Sequence, residues 1–238
     1  YYKSNVHELQ YLARSRAVKK AQGEYFAFLD VDDWWHKDKL INQIKLFKNK
    51  DVGMVCSNYW LVNERKTVNR PKKVFKFIPQ GYVLNELLRK NFVGMSTLVV
   101  SREAYESLEY GFDINYEIIG DYDLVLRLAS NWELAALQEP YSYYRWHGEN
   151  LSRKKMSLNN SELLSWIKKM SKNKIFYKKP NFIYLISLTY FYKGLILILS
   201  NDRRSALKVI RKIKILSLRF KILILLLLPK FIINSIRS

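Results

Sequence analysis

The sequence contains a single cysteine, Cys56, so no disulfide can form within the chain. This excludes the disulfide-rich secreted scaffolds and fits a reducing compartment. The surrounding segment, VGMVCSNY, is typical of a strand, and we therefore expect a buried and unreactive thiol. The chain also lacks an initial Met and a basic-then-apolar leader, which indicates a fragment without a signal peptide.

The chain of 238 residues carries a formal net charge of +20, and acidic residues are scarce in its last third. Residues 1–152 hold 21 Lys and Arg against 19 Asp and Glu, whereas residues 153–238 hold 20 against 2. The excess charge therefore belongs to a tail, and we predict two domains, 1–152 and 153–238. Apolar runs such as ILILLLL argue against a nucleic-acid partner, because phosphate-tracking grooves combine positive charge with scattered aromatic residues.

Uninterrupted apolar runs of membrane-spanning length are also missing. The run Phe182–Leu199 is interrupted by Lys193, and Ile222–Leu228 is too short, since a span needs about 20 apolar residues. Basic residues beside Leu, Ile, Phe and Tyr are typical of helices that lie in the membrane interface. We predict that residues 161–238 form such helices on an anionic membrane surface. A helical subdomain packed on the preceding domain, or one tilted span through Phe182–Leu199, remains an alternative.

The chain is organised around the stretch Ala21–Leu46. Five apolar residues, Tyr25–Leu29, lead directly into Asp30, Asp32 and Asp33, and a helical pattern follows. This order predicts a buried strand that delivers acids to its carboxyl end, where open α/β sheets bind ligands. Carboxylates two residues apart can face one ligand, and they suit Mg²⁺ or Mn²⁺ shared with substrate phosphates.

Simpler interpretations of the acidic triplet exist. Asp-x-Asp occurs by chance in many chains, and Asp33 could cap the amino end of a helix that begins near Trp35. Phosphatases of the haloacid-dehalogenase type also carry a strand that ends in Asp-x-Asp. They normally continue with Thr or Val where this chain has Trp34, so we consider that interpretation weak.

The longer string ARSRAVKKAQGEYFAFLDVDDWWHKDKLINQ resembles the central segment of the family 2 glycosyltransferases. Departures from the usual pattern are Ser15, Ala17 and Lys37, none at a position that carries the chemistry. The matching residues are Ala13, Arg14, Ala21, Gly23, Glu24, Tyr25, Phe28, Leu29, Asp30, Asp32, Asp33, Trp35, Lys39, Leu40 and Gln43. The resemblance implies an α/β fold of the GT-A type, Rossmann-like, with a mostly parallel sheet flanked by helices. The family's first strands, of the types P-x-V-S-V-I-I-P and V-D-D-G-S, do not occur here, so we expect an incomplete nucleotide-binding half.

Further elements follow from local patterns. We predict helices at Lys3–Lys20 and Val83–Arg89 and strands at Val52–Leu61 and Met95–Ser101, with a basic loop at Arg65–Lys76. The resemblance places Arg14, on the first of these helices, against the nucleotide, although a solvated surface arginine is the simpler interpretation.

A second acidic pair lies in YEIIGDYDLVLRLA. Helical spacing of the apolar residues puts Asp121 and Asp123 in a first turn, where negative charge stabilises the helix dipole. The resemblance aligns the family motif Glu-Asp-x-Asp, with its following Arg, to Gly120, Asp121, Tyr122, Asp123 and Arg127. It makes Asp121 the general base, while Gly120 stands where Glu is usual.

The segment YSYYRWHGENLS completes the resemblance. The family pattern Y-R-x-H-x-x-N-x-S falls on Tyr144, Arg145, His147, Asn150 and Ser152, which implies that Arg145 and His147 face the diphosphate or the metal. A surface loop without a role is the alternative. The resemblance thus implies Asp32 and Asp30 as metal ligands and Arg14, Asp30, Asp33, Arg145 and His147 as substrate-binding residues.

Together these motifs imply an inverting glycosyltransferase that uses Mn²⁺ or Mg²⁺ and a nucleotide-sugar, with UDP the expected nucleotide. A carboxylate must take the acceptor's proton, and a divalent ion stabilises the diphosphate leaving group. The basic tail favours a saccharide or lipid-linked saccharide acceptor at the cytoplasmic face of the membrane, in bacterial cell-surface polysaccharide synthesis. The alternative is a non-catalytic membrane-binding remnant of the same fold, and the fragment itself is expected to bind nucleotide poorly.

Overall fold

In the computed structural model of the chain, the structure describes residues 9–63, 71–147 and 155–228. They belong to two compact units, Tyr1–Lys154 and Lys155–Ser238. The division falls two residues after the domain boundary predicted at 152, in a stretch outside the described residues.

The first unit is built on a six-stranded sheet. Its strands are β1 (Tyr25–Ala27), β2 (Trp34–Trp35), β3 (Val52–Asn63), β4 (Lys72–Lys73), β5 (Val99–Ser101) and β6 (Glu133–Trp146). Its α-helices are α1 (Gln10–Lys20), α2 (Lys39–Ile44), α3 (Leu84–Arg89), α4 (Arg102–Glu106) and α5 (Gly120–Leu128). Short 3₁₀ turns occupy Lys45–Lys48 and Met95–Thr97. The predicted α/β class is confirmed.

The strand order is β1-β5-β3-β6-β2, with β4 added beside β3. Strands β3 and β6 are parallel, whereas every other pairing within the described residues is antiparallel. The expectation of a mostly parallel sheet holds for the longest pairing, β3 with β6, while the shorter antiparallel pairings make the sheet mixed. The cause is β5, which inserts between β1 and β3 and runs antiparallel to both, although these two strands point in the same direction.

Strand β3 forms the centre of the core. Met54, Val55 and Cys56 have no exposed surface, and β6 pairs along this part of the strand, with β5 on the other side of Met54 and Val55. Burial raises the pKa of the Cys56 thiol to about 12. The prediction of a buried cysteine is confirmed.

Several predicted boundaries shift. The helix expected near Trp35 begins instead at Lys39, because Trp34 and Trp35 form β2 and pair with Tyr143 and Ser142. The strand predicted at Met95–Ser101 is a 3₁₀ turn followed by β5. Residues 3–8 of the predicted first helix and the first half of the predicted basic loop, residues 65–70, lie outside the described residues.

The second unit is helical, as predicted. It contains α6 (Met156–Met170), α7 (Lys174–Tyr177), α8 (Pro180–Leu199), α9 (Arg203–Ile210) and α10 (Leu216–Leu227). Helix α8 is the one described helix that is long and apolar enough to cross a membrane, with a mean hydropathy of 1.8. It packs against the other four helices, and its Thr189 carbonyl accepts a hydrogen bond from Asn160 (2.8 Å). A central core helix shows the same features.

Candidate active site

An acidic turn, Asp30–Asp33, connects β1 to β2. The Asp33 amide donates to the Asp30 carbonyl (3.1 Å), which closes the turn. Ser96 holds it from the neighbouring 3₁₀ segment: its hydroxyl accepts the Asp30 amide (3.2 Å), and its carbonyl accepts from the Trp35 indole (2.6 Å). The turn is therefore fixed at both ends, and its carboxylates are held at the carboxyl end of β1.

The turn opens onto a cleft of about 740 Å³ within the first unit. Of the predicted site residues, all except Arg145 line this cleft: Arg14 from α1, Asp30, Asp32 and Asp33 from the turn, Asp121 from α5 and His147 after β6. Side chains that are distant in sequence thus meet at one concave surface. The cavity volume suits a small-molecule ligand of nucleotide-sugar size.

Two pairs of side chains, each made of one basic and one acidic residue, line the cleft. Arg14 forms an ion pair with Asp30, and the His147 Nε2 atom lies 2.9 Å from Asp32 Oδ2. The side chain of Asp32 is 36% exposed and that of His147 is 24% exposed, so a ligand can reach both. The positive guanidinium of Arg14 balances the negative charge of Asp30. Asp32 instead contacts the imidazole of His147, which carries a positive charge only when it is protonated.

Asp33 faces the cleft but is nearly buried, at 8% exposure. Its Oδ1 atom accepts the Arg145 amide (3.0 Å), and its Oδ2 atom has no hydrogen-bond partner within the described part of the chain. Burial raises the pKa of this carboxyl above its ordinary value. Asp33 therefore ties the end of β6 to the acidic turn.

The structure does not place the Arg145 side chain in the cleft. Its guanidinium lies 5.5 Å from the centre of the Trp34 ring, which itself stacks on Tyr143 at 5.1 Å. Successive residues of a strand point to opposite faces, and Ser142 and Tyr144 take the cleft face of β6. Arg145 is therefore not among the residues that line the cleft, whereas its backbone, through the hydrogen bond to Asp33, supports the acidic turn. Asn150 and Ser152 of the same motif lie outside the described residues.

Asp121 lies in the first turn of α5, partly exposed to the cleft. Its Oδ1 atom accepts the Tyr122 amide (2.7 Å). Burial raises the pKa of its carboxyl, while the Arg14 guanidinium lowers it in part. A carboxylate with a raised pKa is a stronger proton acceptor, so the site holds a base on the same cleft as the acidic turn.

Residues 3–108 match the family described as Glycosyl transferase family 2. This segment, a little under half of the chain, is therefore similar to that family. The prediction from the sequence motifs is thus confirmed, and the family match covers the acidic turn and Arg14 but ends before Asp121 and His147.

Individual relatives of the chain are bacterial. It is 30% identical over 146 residues to the UDP-Glc:alpha-D-GlcNAc-diphosphoundecaprenol beta-1,3-glucosyltransferase WfgD of Escherichia coli, covering 60% of this chain and 54% of the relative. It is 28% identical over 146 residues to the amylovoran biosynthesis glycosyltransferase AmsB of Erwinia amylovora, covering 56% and 45%. The chain therefore spans about half the length of these curated relatives. Among solved structures it is similar to S. aureus TarS 1-349 in complex with UDP-GlcNAc, with a TM-score of 0.46 and 16% identity, over 75% of this chain and 60% of that chain.

The remaining residues of the family motif have a structural place. Asp123 is fully buried and receives the Arg127 Nη2 atom at 2.6 Å. Arg127 also donates to the carbonyls of Tyr110 and Gly111, both at 2.6 Å. This buried pair fixes the 110–111 segment, whereas Asp121, two residues earlier on the helix, faces the cleft.

Ser96 and Tyr11 are among the cleft residues that the sequence analysis did not identify. Ser96 carried no signal, because its role depends on the packing of the 3₁₀ segment against the acidic turn. Tyr11 carried no signal either, because its contact with Gly120 depends on how α1 packs against α5. Tyr11 is 1% exposed, and its hydroxyl donates to the Ile118 carbonyl (2.9 Å) just before α5.

Proposed function

We propose that the complete gene product containing this chain is an inverting glycosyltransferase of bacterial cell-surface polysaccharide synthesis. Its donor is a UDP-sugar, and its acceptor is a saccharide or a lipid-linked saccharide. The observation that supports this most strongly is that Asp32 and Asp121 open onto one cleft. The name of the E. coli relative, which includes UDP-Glc and a diphosphoundecaprenol-linked acceptor, supports this choice of donor and acceptor.

A Mn²⁺ or Mg²⁺ ion fits the acidic turn. Within the described residues, no group of three or more His, Cys, Asp or Glu side chains could hold a metal ion, so the remaining ligands would have to come from substrate and water. These ions commonly bind through one or two carboxylates and complete their shell with substrate phosphates and water. Asp32, with Asp30 beside it, would hold the ion, which when bound stabilises negative charge on a diphosphate leaving group.

The surrounding side chains prepare these carboxylates. His147 orients Asp32 through the 2.9 Å contact, so the imidazole supports a ligand as second-layer groups do in metal sites. Arg14 lies against Asp30 and brings a positive charge to the same wall of the cleft. A guanidinium at this point suits the phosphates of a nucleotide-sugar, because it can donate two parallel hydrogen bonds.

Asp121 then acts on the acceptor. An alcohol is a weak nucleophile at neutral pH, and the Asp121 carboxylate takes its proton as the new glycosidic bond forms. The raised pKa of Asp121 brings the base closer to the working pH. Attack by the hydroxyl in a single displacement, with the diphosphate as leaving group, inverts the anomeric centre.

The experiment is turnover of the complete gene product with a panel of UDP-sugars, Mn²⁺ and lipid-linked acceptors. Asp32→Ala and Asp121→Ala should each reduce turnover about 100-fold or more, whereas Asp38→Ala, at an exposed acid paired with His36, should not. Variants of Asp32 and Asp121 that match the wild type would contradict the mechanism. No turnover of any donor, with vesicle binding intact, would instead support a non-catalytic membrane-binding protein.

We further propose that the protein works at the cytoplasmic face of the cell membrane as a peripheral protein. The net charge of +18 over residues 153–238 supports this, because basic residues near an anionic bilayer each add attraction. A lipid-linked acceptor would then be presented in the plane to which the enzyme is bound.

A further inference from the structure

Helix α10 carries a wholly apolar face that no other described element covers. Its five outward residues have between 37% and 79% of their surface exposed. They are Leu216, Phe220, Leu223, Ile224 and Leu227. At 3.6 residues per turn they lie within an arc of about 100°, so they form one continuous stripe along the helix.

The opposite face of α10 is already used. Ile222 is fully buried and Leu218 is 9% exposed, and both belong to the core that α10 forms with α8 and α9. Ile222 packs close to Gly194 of α8, where an added Cβ atom would lie 3.2 Å from its side chain. Helix α10 therefore cannot turn its stripe inward without losing this core.

Positive charge surrounds the stripe. The segment RKIKILSLRFK, residues 211–221, contains five Lys and Arg and no acid. Lys221 is exposed at one border of the stripe, and Arg219 at the other border is held by a hydrogen bond to the Ile213 carbonyl (3.0 Å). An apolar stripe with basic borders matches the acyl chains and phosphates of an anionic bilayer.

We propose that the outward face of α10 docks on an anionic lipid bilayer and lies flat in its interface. With a rise of 1.5 Å per residue, twelve residues extend about 18 Å, which is too short to cross a hydrocarbon core of about 30 Å. The proposal rests on the membrane association proposed above and assigns it to one face. Its test needs no turnover, so its failure leaves the catalytic proposal untouched.

The test uses single-cysteine labels on the full chain with a polarity-sensitive fluorophore. The native Cys56 does not interfere, because it is fully buried and its thiol pKa is raised to about 12. Labels at Phe220→Cys and Leu223→Cys should shift to the blue with phosphatidylglycerol vesicles and much less with pure phosphatidylcholine. A label at Ser161→Cys, exposed on α6, should not shift with either.

A second measurement removes the stripe. The double variant Phe220→Ser/Leu223→Ser should weaken the affinity for anionic vesicles, measured by co-sedimentation, by about tenfold or more. The reason is that two large apolar side chains are no longer buried in lipid. The control variant Ile175→Ser/Leu207→Ser removes two exposed apolar residues from α7 and α9 and should bind like the wild type.

Two results would overturn the proposal. Labels on α10 that stay unchanged with anionic vesicles would show that the stripe does not enter lipid. A blue shift without vesicles that grows with protein concentration would show that a second copy of the chain covers the stripe. Thermal melting by circular dichroism establishes that each variant keeps its fold.

Discussion

The ring of Tyr11 occupies the space that a side chain on residue 120 would need. A Cβ atom at Gly120 would lie 2.6 Å from the Tyr11 ring, closer than side chains pack in proteins. The ring is fixed by stacking on Phe112 (5.8 Å) and by its hydroxyl bond to Ile118. Residue 120, next to Asp121, is therefore a position where the Tyr11 ring on α1 leaves room only for glycine.

We expect Gly120→Ala to destabilise the protein by about 1–3 kcal/mol, because the ring cannot move away from the new methyl group. Without the ring, alanine in a helix is favoured over glycine, so the same change in a Tyr11→Ala background should be neutral or stabilising. Urea unfolding of the four proteins in this cycle measures the coupling. Gly94→Ala is the control, since its Cβ would meet only Thr97 at 3.7 Å. Equal costs in both backgrounds would contradict the steric explanation.

Asp121→Asn should lower the turnover of the complete gene product by about 10²–10⁴-fold, because an amide cannot accept the acceptor's proton. In the wild type, activity should rise with pH through the raised pKa of this carboxyl, so the acid limb should lie above that of an ordinary aspartate. The pH profile of kcat/KM measures this limb. An unchanged limb in a residually active Asn variant would assign the titration to another group.

The raised pKa of Asp121 also predicts that the Asp121→Asn variant, although less active, is more stable than the wild type at neutral and alkaline pH. Since the folded-state pKa of Asp121 is raised, its contribution to stability is present at low pH and is lost as pH rises through that pKa. The Asn variant should therefore unfold at a higher temperature than the wild type at pH 8, with the difference vanishing in acid. Scanning calorimetry at both pH values tests the sign.

Much of the site could be predicted because its signals are local. An apolar run that ends in Asp30, Asp32 and Asp33 defines both a strand and its carboxyl end within ten residues. The helical spacing after Asp121 likewise determines which turn the acid occupies. Such patterns depend on neighbours in the sequence, and the structure places the acids as they predict, after β1 and in the first turn of α5. That the two groups of acids meet on one cleft is implied by the family resemblance and not by either local pattern.

The failures all involve pairing between distant segments. Trp34 continues a pattern that suits the start of a helix, but pairing with Tyr143 makes it a strand residue. That register also sends Arg145 away from the cleft, because a shift of one residue exchanges the two faces of a strand. The insertion of β5 between β1 and β3 has the same origin, since no local pattern specifies which strands become neighbours.

His147→Ala should weaken the response to Mn²⁺ more than it affects the fold. The imidazole orients Asp32, and loss of such a support commonly costs 10–100-fold in metal affinity, so we expect about that increase in the Mn²⁺ concentration for half-maximal activity. His36→Ala is the control, because that exposed histidine contacts Asp38 away from the cleft. Identical Mn²⁺ titrations for the two variants would contradict a role for His147 in the proposed metal site.

Lys39 is a buried lysine whose titration should make the stability of the protein depend on pH. It has no exposed surface, its Nζ atom lies 4.2 Å from the centre of the Trp35 ring, and it has no hydrogen-bond partner within the described residues. Burial lowers the pKa of this amine to about 7. Between that value and 10.5 the unfolded chain binds a proton that the folded chain does not, so wild-type stability should rise with pH.

Lys39→Met should therefore stabilise the protein by a few kcal/mol at pH 6–7, because it removes the cost of burying the amine while keeping the length of the side chain. The advantage should shrink toward pH 10, where the lysine is neutral in both states. Lys45→Met, at an exposed lysine just beyond α2, should show no such trend. Urea unfolding across this pH range decides the matter, since a constant difference between Lys39→Met and wild type would mean that Lys39 stays charged in the folded protein.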